Sequence, residues 1–108
     1  IRDRIKRFMP SAYGSLMTAG EAAGLTELMR AVVTEGTGSG VRTDAYTVAA
    51  KTGSAEFETG KETHAWFTGF APAESPRLVV TVLVEEGGSG GRAAAPIARQ
   101  LFDIYMRR

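Results

Sequence analysis

Between residues 18 and 35 the chain reads TAGEAAGLTELMRAVVTE, with Leu25, Leu28, Met29, Val32 and Val33 spaced i, i+3, i+4, i+7, i+8. That spacing predicts an amphipathic helix with one buried face. Thr18 and Glu21 form the T-x-x-E pattern of a capping box at its start. Gly36 stands where a closing glycine belongs. Gly20 and Gly24 weaken the first turns, so packing rather than propensity has to hold this helix.

The period then changes. After a glycine-rich stretch, GTGSG at 36–40, three segments predict strands: roughly 46–57, then HAWFTGFA at 64–71, then RLVVTVLVE at 77–85. Short turns join them around ETGKE and PAESP, so consecutive antiparallel pairing is the economical topology. The third segment is apolar at successive positions, which predicts cover on both faces. AAAPIARQLFDIYMRR closes the chain as a second helix. Pro96 is tolerable in its first turn, Ile97, Leu101, Ile104 and Tyr105 form an apolar stripe, and Arg107 and Arg108 suit its C-terminal end. The fold class expected is α+β: a three-stranded antiparallel sheet with a helix before it and a helix after it. The first 17 residues predict a linker or irregular segment. The basic side chains of IRDRIKRFM at 1–9 suit a solvated turn better than a nucleic-acid arm, since no aromatic residues alternate with them.

Composition narrows the chemistry. At 108 residues, 44% of them hydrophobic, the chain is one domain or part of one. Thirteen basic against twelve acidic residues leave a net charge of +1, too small a footprint for nucleic acid or an anionic membrane. There is no cysteine and one histidine, His64, which excludes disulfides and leaves no zinc cluster. No metal or other cofactor is expected. The longest apolar run, LVVTVLV at 78–84, is far short of the ~20 residues of a spanning helix. The sequence starts at Ile1 rather than methionine, from which a longer parent protein is expected.

Two short motifs carry candidate chemistry. GGSGG at 87–91 satisfies G-x-S-x-G between a strand and a helix. A nucleophile elbow also needs an acid and then a histidine after the serine. Asp103 follows Ser89 but no histidine does, so the stretch is expected to be a glycine loop turning a strand into a helix. A triad of serine, His64 and Asp44 has no support in the spacing; His64 is expected to be a structural strand residue. The second motif is Lys51-Thr52-Gly53, followed by Ser54, inside the first strand. Strand interiors disfavour glycine, and a lysine there needs solvent or a counter-group.

With VAAKTGSAEF stand LTELMRAVVTEGTG before it, then HAWFTGFAP, then VLVEEGGSGGRAAAPIARQLF, in that order over residues 18 to 106. The set resembles the transpeptidase domain of penicillin-binding proteins, the class B, peptidoglycan-crosslinking kind in particular. The resemblance implies an enzyme that attacks a D-Ala-D-Ala peptide with a serine, releases the terminal D-alanine and passes the acyl group to an amine. β-Lactams are captured as a stalled acyl-enzyme. It implies catalytic roles for Lys51, as a source of positive potential, and for Ser54, whose backbone N–H serves as an oxyanion donor. Lys51, Thr52, Gly53 and Ser54 together would bind substrate. Thr52 offers its hydroxyl to the substrate or antibiotic carboxylate, and Gly53 leaves room for close approach to the strand. An extended substrate would lie along this strand as an added edge. The implied partners are the peptidoglycan stem peptide and β-lactams, with no nucleic acid and no direct membrane contact. The implied location is the extracytoplasmic face of the bacterial cell membrane, the parent being anchored by an N-terminal segment.

The other two motifs of that family, S-x-x-K and S-x-N, are missing. None of the serines at 11, 15, 39, 54, 75 and 89 has lysine three residues on, and the chain has no asparagine. The 108 residues are therefore expected to be the C-terminal part of a catalytic domain, with the nucleophile elsewhere. Alternatives are a serine β-lactamase or β-lactam sensor domain, which share a Lys-Ser/Thr-Gly strand, and a non-catalytic interaction domain. The family pairs RLVVTVLVE with a strand from outside this sequence, so an unpaired edge and self-association are expected.

Overall fold

A computed structural model describes residues 16–106. The expectations for residues 1–9 and for the charges of Arg107 and Arg108 lie outside the described residues. Helix α1 spans Ala19–Glu35 and a 3₁₀ turn covers Ser39–Val41. Strands β1 (Ala49–Ala55), β2 (His64–Ala71) and β3 (Leu78–Val84) follow. A π-helical turn at Gly90–Ala94 leads into helix α2, Ala95–Met106. The sheet is antiparallel in the order β1-β2-β3, as the short connections require. β1 is shorter than the sequence suggests, because Tyr46 leaves the ladder. Its hydroxyl donates to Asp103 Oδ1 at 2.6 Å and pins the approach to β1 onto α2.

The capping box forms as expected. Thr18 Oγ1 accepts from the Glu21 N–H at 3.1 Å, and Glu21 Oε1 accepts from the Thr18 N–H at 2.9 Å. The Gly36 N–H closes the helix on the Val32 carbonyl at 3.1 Å.

One face of the sheet is covered by the helices. Ala50 and Thr52 of β1, Ala65, Phe67 and Ala71 of β2, and Val80 and Val82 of β3 are buried on it. Val33 of α1 and Val41 close the core from one side, and Ala94, Ala95, Ala98 and Phe102 from the other. Phe102 meets Phe67 edge-on with centroids 6.3 Å apart.

Three burial expectations are corrected. Among the described residues β3 is covered on one face only, with Val79 67% and Leu83 60% exposed. The apolar face of α1 reaches the core only through Val33, while Leu28 is 68% exposed. The helix meets the sheet along β1 and the 3₁₀ turn, so its first turns extend past the core. In α2 the buried positions are Ala95, Ala98 and Phe102, whereas Ile97, Ile104 and Tyr105 of the expected stripe are exposed and Leu101 is half-buried. Bulk misleads there. Alanine lets a helix approach a sheet closely, and one phenylalanine then fills the gap.

Candidate active-site strand

β1 has a neighbour on one side only, β2, and this leaves its other edge open among the described residues. The register pairs Lys51 with Thr68, Thr52 with Phe67, Gly53 with Trp66 and Ser54 with Ala65. Side chains alternate, so Thr52 and Ser54 belong to the helix-covered face and Lys51 and Gly53 to the opposite one. Thr52 is 4% exposed, while Lys51 and Ser54 are exposed.

Backbone direction alternates too: a residue's N–H and C=O point to the same side, and its neighbours' to the other. A Cβ built at Gly90 would come within 2.9 Å of the N and O of Gly53 and the O of Trp66 together. Those groups therefore converge between the strands, as in a pair exchanging both its hydrogen bonds. Thr52 and Ser54 in consequence turn their N–H and C=O outward. Lys51 uses one of these groups, its Nζ donating to the Thr52 carbonyl at 2.7 Å. The Ser54 N–H faces the same open side.

The glycine expectation acquires a cause. A Cβ at Gly53 would lie 2.2 Å from the Trp66 indole, so the ring rests where a side chain would stand. From the other face Gly90 presses on the Gly53 and Trp66 backbones, where its own Cβ would meet the Trp66 oxygen at 2.3 Å. The Lys-Thr-Gly segment is thus clamped between an indole and a second glycine. That clamp was not visible in the sequence, where GGSGG reads as a loop.

The Thr52 hydroxyl lies on the covered face, hydrogen-bonded to Thr37 Oγ1 at 2.5 Å. The glycine-rich stretch GTGSG is a folded turn. The Gly38 N–H donates to the Val32 carbonyl at 2.9 Å, the Val41 N–H to the Gly38 carbonyl at 3.1 Å, and Gly38 is buried.

His64 is structural in its surroundings, as expected. Its ring stacks on Phe57 at 4.0 Å with an interplanar angle of 3°, and Nδ1 accepts from the Glu86 N–H at 3.0 Å. Asp103 is held by Tyr46 and by Arg99 Nε at 2.9 Å. Ser89 leads into the π-helical turn through its carbonyl, which accepts from the Arg92 and Ala93 N–H groups at 3.2 and 2.9 Å. Among the described residues no three His, Asp or Glu side chains gather as metal ligands.

The family model for the penicillin-binding protein transpeptidase domain matches residues 10–103. The chain belongs to this family. It is 46% identical over 98 residues to the peptidoglycan D,D-transpeptidase PbpA of Mycolicibacterium smegmatis, covering 80% of this chain and 19% of that protein. The solved transpeptidase domain of the FtsI4 D,D-transpeptidase from Legionella pneumophila superposes with a TM-score of 0.78 at 30% identity, over 83% of this chain and 37% of that one. Penicillin-binding protein A from M. tuberculosis, solved as a ceftriaxone acyl-enzyme complex, gives a TM-score of 0.64 at 40% identity, over 75% of this chain and 20% of that one. The chain spans less than a fifth of the curated relatives it matches, 14% of the length in one and 19% in another. As a part of a penicillin-binding transpeptidase domain, it is the sheet segment that bears Lys51-Thr52-Gly53.

Proposed function

We propose that this chain supplies the substrate-binding strand of a peptidoglycan D,D-transpeptidase, with Lys51, Thr52, Gly53 and Ser54 at the site. What supports the reading most is the open edge of β1, where the outward Ser54 N–H, the outward Thr52 carbonyl and the Lys51 ammonium lie side by side. An extended peptide can add to such an edge through main-chain hydrogen bonds. A serine from the rest of the protein attacks the carbonyl of the penultimate D-alanine, and the Ser54 N–H faces the oxyanion that forms. Collapse of that intermediate breaks the peptide bond, the terminal D-alanine leaves as its amine, and an acceptor amine then takes the acyl group from the serine. Lys51 contributes a compact positive charge throughout. A β-lactam enters the same steps and stops at the acyl ester.

The same reading sets the whole protein on the extracytoplasmic face of the bacterial membrane, where its substrate is. No helix among the described residues is long and apolar enough to cross a membrane, so an anchor would lie outside them. In the absence of the remainder of the domain, the apolar β3 edge associates with another copy.

Labelled penicillin and intact-mass measurement on the whole protein carrying this segment test the proposal. One covalent adduct, mapped to a serine outside residues 1–108, is expected. No adduct, or an adduct on a serine of this segment, overturns it.

A further inference from the structure

A hydroxyl carries one proton. To bind an anion, Thr52 must keep that proton from being spent on a protein carbonyl, yet the residue is 4% exposed and buried polar groups find acceptors wherever they can. The one side-chain hydrogen bond Thr52 makes among the described residues is to the Thr37 hydroxyl. Two hydroxyls that bond to each other use one proton between them and keep the other.

Thr37 is fixed for this purpose by its own surroundings. It sits in the turn between α1 and the 3₁₀ segment, with Gly36 and Gly38 on either side bonded through their N–H groups to the Val32 carbonyl at 3.1 and 2.9 Å. From the opposite side Gly91 presses on its backbone, where a Cβ would lie 2.5 Å from the Thr37 oxygen. Unlike Thr52, Thr37 is exposed. Ser54, two residues along from Thr52, shares its face of the strand.

We infer that Thr37 is a positioning residue for anion recognition at the Lys-Thr-Gly strand. Its O–H donates to Thr52 Oγ1, which leaves the Thr52 proton for a carboxylate of the substrate or antibiotic. The donated bond also polarises the Thr52 hydroxyl and makes it a better donor. Thr37 touches no reacting atom; it sets which way Thr52 donates. The inference rests on the transpeptidase reading and adds a specificity residue to it.

The experiment uses the whole transpeptidase, with acylation followed by stopped flow for a penicillin and for its carboxylate methyl ester. Thr37→Val slows acylation by the free acid about tenfold, because the Thr52 hydroxyl no longer held by Thr37 spends its proton on a protein carbonyl and its charge-assisted bond to the carboxylate is lost, and leaves the ester within about twofold. Thr37→Ser restores the acid rate. Thr52→Val is carboxylate-selective in the same way, and the double variant is no worse than either single one. Equal slowing of acid and ester assigns Thr37 to folding of the turn and overturns the inference, as does a Thr37→Val enzyme with unchanged rates. If valine cannot be accommodated in the turn, Thr37→Ala gives the same discrimination between acid and ester. An unsubstituted enzyme that forms no acyl adduct overturns the transpeptidase reading itself. A normal adduct with no acid-over-ester selectivity at Thr37 overturns the inference alone.

Discussion

Gly90 lies so close to Gly53 that a single added methyl would come within 2.6 Å of the Gly53 carbonyl oxygen. The two glycines are 37 positions apart in sequence, one in the π-helical turn and one in β1. Gly90→Ala is therefore expected to displace β1 without touching any proposed catalytic group. Acylation by penicillin in the whole enzyme should fall by at least tenfold, since small misplacements at a catalytic edge are costly. Circular dichroism should show the fold retained. An alanine enzyme with normal acylation would mean that the strand gives way freely at this point.

Trp66 sets the opposite limit. Gly53→Ala would drive a methyl into the indole at 2.2 Å, so the substitution should destabilise the domain by about 1–3 kcal/mol, as overpacking does. Pairing it with Trp66→Leu frees that space and should recover part of the loss. A chemical-denaturation cycle of the two single variants and the double one measures the coupling; purely additive losses would contradict the contact.

Ser54 separates backbone from side chain. If its N–H is the group that serves, Ser54→Ala keeps acylation nearly unchanged, whereas Ser54→Pro removes the donor and costs roughly 10²–10³ in rate. Lys51→Ala should cost roughly ten- to a hundred-and-fifty-fold, the worth of one charge-assisted hydrogen bond of about 1.5–3 kcal/mol. Proline also disturbs a strand, so a folding check accompanies it. Equal damage from alanine and proline would assign the role to the hydroxyl.

The isolated 108-residue chain should not react with labelled penicillin, because it holds no S-x-x-K nucleophile. It should also self-associate, since among the described residues β3 has only β2 beside it and exposes Val79 and Leu83. Intact mass and light scattering read the two outcomes separately. Covalent labelling would refute the first expectation, and a clean monomer at high concentration the second.

Acid should loosen the start of α1. The Glu21 carboxyl is held below its ordinary value of 4.5, first by the hydrogen bond from the Thr18 backbone N–H and then by the Thr18 side chain. A carboxyl with a lowered folded value stabilises the fold above its unfolded value, and that contribution disappears as pH falls through the lowered one. Amide exchange in residues 19–22, corrected for the intrinsic pH effect, should speed up in acid below about pH 4.5. Glu21→Gln keeps a capping side chain without the titration, so it should flatten this dependence.

Much of this protein was readable locally. Thr18 and Glu21 cap α1 through bonds three residues apart, and the three strands pair consecutively because their connections are too short for any other arrangement. Lys51-Thr52-Gly53 stands out because a strand interior does not ordinarily hold that triplet. These features depend on neighbours in sequence, which a linear pattern records. Tertiary structure alone decided the rest. Alternation puts Thr52 on a face but cannot say that Thr37 waits there, nor that Gly53 is caught between the Trp66 ring and Gly90. It also decided that α2 buries its alanines and Phe102 rather than its bulkiest stripe, because the distance between helix and sheet selects the residues that fit. Close approach is a property of two surfaces at once, and a single stretch of sequence contains only one of them.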